Sequence, residues 1–160
     1  MKTGHAVFLL NLGLILLQAS SVGALDMGYV DQSALDAAFQ GAQKIDLATS
    51  KVPSVITLRD KVKIPPPKTL VLVKTFKKES LPDVLQPAFA RPGVMGVTIK
   101  GRYVAILQTE FPKEYQDILS HELVHAYISQ VSPNPLPFWF QEGSAVPFST
   151  DKGWRFYGKP

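Results

Sequence analysis

The chain has 160 residues, 46% of them apolar and 19% charged, a composition that suits one globular domain and excludes wholesale disorder. Its formal charge of +4 comes from scattered basic residues, too small and too dispersed an excess to argue for a nucleic-acid partner. There is no cysteine, which rules out disulfides, thiolate metal ligands and a lipidated cysteine.

The first 24 residues read as a secretory signal peptide. Lys2 supplies the positive end, Val7 to Leu17 the apolar stretch, and Val22-Gly23-Ala24 a small-residue cleavage site. Cleavage after Ala24 predicts a secreted protein with one domain over 25–160. The competing reading keeps the segment as an N-terminal anchor, but its apolar stretch is short for a membrane span. No later stretch approaches that length, so no span is expected after cleavage. An exported chain without disulfides must be held by its core, aided by a metal if one binds.

Leu35, Ala38, Phe39, Ala42 and Ile45 share a face at helical spacing, predicting a helix over 31–48 capped by Asp31 or Ser33. Residues 52–58 read as a short strand, and Pro65-Pro66-Pro67 as a stiff extended connector. Residues 70–75 read as a buried strand, being short, β-branched and bounded by lysines. The cluster of Lys74, Lys77 and Lys78 reads as a solvated face. Pro82, Pro87 and Pro92 mark 80–93 as an irregular surface loop. Two strand-like runs, 94–100 and 102–109, flank Gly101 and predict a hairpin. Arg102 reads as an exposed strand-end arginine rather than a substrate contact.

Pro112 suits the first turn of a helix, where a missing N–H costs little, and Glu114 favours the dipole there. That helix is predicted over 112–130, stopped by Ser132-Pro133-Asn134-Pro135. A second, short helix is predicted from Pro137, ending before Pro147, which would break it. Phe138, Trp139 and Phe140 read as core packing.

The first of these helices carries His121-Glu122-Leu123-Val124-His125. Beyond the signal, which contains His5, these are the chain's only histidines. Positions four apart on a helix lie about 40° apart around its axis, so both imidazoles point one way and can grip one metal ion. Glu122, about 60° from His125, can reach a water at that metal without being a ligand. Leu123 and Val124 point away and can anchor the helix in the core. A catalytic zinc site usually has three protein ligands, so one is missing from the pentapeptide. With no further histidine and no cysteine, it must be a carboxylate. Glu142, beyond a proline-marked reversal, is the best candidate, and Asp117, one turn before His121, is the runner-up. The bland readings are a surface helix with two unremarkable histidines and a plain surface or capping role for Glu142.

HELVH followed by WFQEGSA resembles the gluzincin branch of the zinc metallopeptidases, in particular bacterial proteins with a peptidase MA-like domain. The resemblance is tight over roughly 103–146. It implies His121, His125 and Glu142 as zinc ligands, Glu122 as general base, and a bacterial host, hence a secreted or periplasmic location. It also implies a strand just before the motif helix, which 102–109 fits, and such an edge strand can pair with an extended peptide substrate. A metzincin would need a third histidine where Val131 stands, and a peptide deformylase would need a cysteine. Eighteen residues follow Glu142, fewer than is usual in that family, so the 25–160 domain is truncated, minimal or a degenerate relative. The oxyanion-stabilising group is unassigned; Tyr157 and Tyr127 qualify by chemistry alone.

The expected fold is α+β and zincin-like, with a small, partly antiparallel sheet beside the motif helix. The expected function is zinc-dependent hydrolysis of peptide or protein substrates. Two imidazoles and a carboxylate suit zinc. The main rival is a non-catalytic exported module that binds peptides or holds a structural metal. A third reading is an envelope or stress protein in which HELVH is incidental.

Overall fold

A mixed four-stranded sheet with helices on both faces makes up the computed structural model, which describes residues 30–149. The expected signal at 1–24 and Tyr157 lie outside the described residues. Among those described, no helix is long and apolar enough to cross a membrane.

Helix α1 (Gln32–Ala38) starts where the Asp31 carboxylate accepts from the Ser33 N–H at 2.8 Å, so Asp31 is the cap. It ends well short of the expected residue 48. Gly41, at φ +73°, turns the chain into strand β1 (Gln43–Ile45), so the periodic apolar positions are shared between a helix and a strand. The expected strand at 52–58 is instead helix α2 (Pro53–Ile56) with a wider π-type turn over Thr57–Lys61. Pro53 presets the first turn, and Ser54, Val55 and Leu58 are buried at helical rather than alternating spacing.

Strand β2 (Val71–Phe76) forms where expected. The proline-marked segment after it holds only two short 3₁₀ turns, Lys78–Ser80 and Gln86–Phe89. Strands β3 (Gly96–Ile99) and β4 (Tyr103–Leu107) make the predicted hairpin. Lys100 and Gly101 both take positive φ (52° and 61°), and the Arg102 N–H donates to the Ile99 carbonyl, as a tight hairpin turn requires. The sheet order is β1-β2-β4-β3, with β2 and β4 parallel and the other pairs antiparallel. The hairpin strand preceding the motif helix, β4, is therefore internal, and the edge is β3. This corrects the expectation that 102–109 forms the edge.

Every residue of β4 is buried because both faces of the sheet are covered. Val71, Val73, Val104 and Ile106 face helix α3 (Pro112–Val131) together with α2, whereas Phe76, Ile99, Tyr103 and Ala105 pack with Leu35 and Phe39 of α1. Helix α4 (Phe138–Ser149) packs along α3, with Ala145 fully buried between them. It continues through Pro147 instead of stopping before it. Pro147 lies in the last turn of α4, where the N–H it lacks removes one ladder bond, to the Gly143 carbonyl.

Helix α3 approaches β3 very closely. A Cβ added to Gly96 would lie 2.6 Å from Ile118 Cγ2 and 2.9 Å from Glu122 Cγ and Oε1. Gly96→Ala is therefore expected to destabilise the fold by about 1–3 kcal/mol through overpacking. Urea unfolding reads this directly, and an unchanged midpoint would contradict the close approach.

Candidate metal centre

The spacing of four on α3 brings the imidazoles of His121 and His125 edge to face, with Nε2 atoms 3.0 Å apart and ring planes at 76°. Leu123 and Val124, between them in sequence, are fully buried and hold the helix in the core as expected. Each buried aliphatic side chain contributes roughly 1.5–3 kcal/mol. Ser54 Oγ donates to the Ser120 carbonyl at 3.1 Å, and the Tyr127 hydroxyl donates to the Ile64 carbonyl at 2.6 Å. The helix is thus tied at two further levels to other segments. Tyr127 is fully buried by this arrangement and does not reach the site.

The reversal after Val131 folds α4 back so that Glu142 meets both imidazoles. Its Oε2 is 3.5 Å from His121 Nε2, and its Oε1 is 3.3 Å from His125 Nε2. His121, His125 and Glu142 form a group able to hold a metal ion, their ligand atoms lying within 4.8 Å of one another. Asp117, half-buried one turn earlier, is not part of it. Donor atoms bound to one tetrahedral zinc at 2.0–2.1 Å would be about 3.3 Å apart. The imidazole nitrogens, 3.0 Å apart, and the Glu142 oxygen nearest to each, Oε2 at 3.5 Å from His121 and Oε1 at 3.3 Å from His125, lie near that value, and one donor atom from each residue falls within 4.8 Å of the others, so the group suits such an ion in chemistry and approaches its size.

Glu122 lies beside this group and outside it, only 5% exposed. Thr98 Oγ1 donates toward Glu122 Oε2 at 2.7 Å and toward the Glu122 carbonyl at 2.9 Å, so one proton is shared between the acid's side chain and backbone. Neither Thr98 nor Gly96 belongs to a sequence motif. Gly96 carried a weak signal, since a glycine inside a strand often marks close backbone approach. Nothing in the local sequence singles out Thr98.

The two carboxyls shift in opposite directions. Burial pushes Glu122 up, and the nearby imidazoles and the Thr98 hydroxyl only partly reverse this. Burial also raises Glu142, but its hydrogen bonds to His121 and His125 more than offset that and hold it at about 2. Burial lowers His125, and Glu142 with Glu122 more than restores it, leaving it above its ordinary value.

The aromatic residues on α4 are not core. Phe138, Trp139 and Phe140 are 44%, 73% and 41% exposed, because α4 turns its small residue Ala145 to α3 and its first turn outward. Lys74 is not simply solvated, since its Nζ donates to the Ala38 and Gln40 carbonyls at the end of α1. Arg102 is exposed and lies over the Tyr103 ring, away from the metal group in the β3–β4 turn.

No family model, no curated protein and no solved structure matches the chain.

A metal must displace any proton from His125. Because that proton is held above the ordinary imidazole value, metal affinity should already be falling as pH drops from about 7 to 6, with a slope that approaches about tenfold per unit on the acid side for one competing proton. Competition titrations with a chromophoric chelator would show this slope, and a flat profile across that range would contradict the raised His125.

Proposed function

We propose that the protein is an exported zinc metallopeptidase of the gluzincin type, hydrolysing peptide bonds at the His121–His125–Glu142 group. The observation that carries this reading is a buried carboxyl, Glu122, held beside three converging metal donors without being one of them. A zinc ion there would supply Lewis acidity, polarising a peptide carbonyl and making water acidic enough to react near neutral pH.

Glu122 is the general base in this reading. Thr98 holds its Oε2, which leaves Oε1, lying over Gly96, to accept the proton of the attacking water. The upward shift of this carboxyl suits it to take that proton and then deliver it to the leaving amine. Glu142, held ionised, compensates the charge of the metal.

Strand β3 supplies the substrate track. The Leu107 N–H donates to the Met95 carbonyl, and in an antiparallel ladder such bonds alternate. Met95, Val97 and Ile99 therefore bond inward to β4, while the backbone groups of Gly96 and Thr98 turn to the open edge. An extended peptide adding a strand there would pass beside Glu122. In this reading 1–24 serves as an export signal and the activity lies outside the cytoplasm.

The deep burial of Glu122 also suits a rival, a non-catalytic module with a structural metal. One set of variants separates the two. The wild-type chain is expected to hold about one zinc and to cleave members of a peptide library. Glu122→Gln should keep the zinc and lose at least about 100-fold in turnover. His125→Ala should lose both. Unchanged turnover in Glu122→Gln would sink the general-base role, and a zinc-loaded wild type without turnover would favour the rival.

A further inference from the structure

Beyond the start of β3 the surface opens into a cleft of about 350 Å³, lined by residues that include Lys78, Phe89, Arg91, Met95 and Gln108. It sits where β2 and β4 both end, since Phe76 pairs with Leu107 and the next residues form its walls. Met95 lies in its lining and is the chain neighbour of Gly96, which touches Glu122. The cleft therefore begins one residue before the point on β3 that Glu122 approaches. Its volume is at the small end for ligand pockets, enough for one side chain or a chain terminus.

The lining contains two cations and no acidic residue. Neither Lys78 nor Arg91 forms an ion pair among the described residues. A peptide pairing antiparallel to β3 would run from Ile99 toward Gly96 and onward past Met95. Its residues on the C-terminal side would then reach the start of β3, where Met95 borders the cleft. We propose that this cleft is a carboxylate-binding subsite, in which Lys78 and Arg91 take a carboxylate carried by the substrate on the C-terminal side of the scissile bond. The carboxylate is either an acidic side chain or the chain terminus. Arginine matches the planar carboxylate with paired donors, and lysine adds a point charge. The assignment to a peptidase substrate rests on the proposed function, whereas the carboxylate site itself does not.

The test uses the full chain, ¹⁵N-labelled, with metal chelated so that nothing is cleaved. Glutarate probes the cleft alone. Three otherwise identical short peptides separate the sources: glutamate near an amidated C-terminus, glutamine with a free terminus, and glutamine with an amidated terminus. Glutarate and at least one carboxylate-bearing peptide should shift the Met95 and Gln108 amides. That peptide should bind about tenfold more tightly than the neutral one at low salt, and the preferred peptide identifies the source. The preference should vanish in a Lys78→Met, Arg91→Met variant whose spectrum is otherwise unchanged. Equal binding of all three peptides, with shifts at Gly96 and Thr98 only, would overturn the subsite and leave the peptide track standing. Glutarate binding without any peptide binding would uphold the carboxylate site and remove the peptidase reading beneath it. No response to glutarate or to any peptide would overturn the proposal.

Discussion

Two imidazoles and a carboxylate, largely withdrawn from water between α3 and α4, set the terms for the rest of the molecule. Such groups are costly to bury unless they satisfy one another. His121 and His125 come from one helix and fall together by its geometry alone. Glu142 comes from another helix, so the pair of helices must dock in one register for the group to form. Ala145, fully buried at their contact, is small enough to permit that approach. Truncating any one of the three would leave the others partly desolvated with less compensation.

The same helix is fixed from three other directions. Gly96 lets β3 come close beneath it, Ser54 bonds its Ser120 carbonyl, and Tyr127 reaches the Ile64 carbonyl. Each tie joins segments far apart in sequence, so the position of α3 depends on the whole sheet-facing layer. A site carried on an element anchored this way keeps its side chains within narrow limits. On the opposite face, Leu35, Phe39 and Tyr103 bury the other side of the sheet, with the Tyr103 hydroxyl donating to Asp36. That layer closes the core without approaching the metal group.

Environment assigns different properties to the two glutamates around the same imidazoles. Glu142 accepts hydrogen bonds from both rings and stays ionised well into acid. Glu122 has lost more water, has a single hydroxyl donor, and shifts upward. Pairs of carboxyls pushed apart in this way are what a division between charge compensation and proton transfer requires. The edge of the sheet adds directionality. Strand β3 is only four residues long, with one side open, and the residue before it, Met95, borders the cationic cleft.

The local pattern of the sequence determined the motif helix and its start at Pro112, strand β2, the hairpin about Gly101, and the common direction of His121 and His125. Each follows from rules that act over a few residues: the angle per residue on a helix, alternation in a strand, and the backbone freedom of glycine at a turn. Tertiary structure decided what those rules leave open. The apolar period over 31–48 was compatible with one long helix, and Gly41 with the pairing of β1 to β2 divided it. The β-branched run at 52–58 became helical because Pro53 and the packing against α3 favoured that spacing. Phe138, Trp139 and Phe140 have core composition but sit outside, since residue type does not say which side of a helix meets its neighbour. Glu142 rather than Asp117 joins the histidines, and β3 rather than β4 forms the edge, for the same reason. Both outcomes depend on how distant segments dock, and that is set by the sum of many weak contacts that no short stretch of sequence contains.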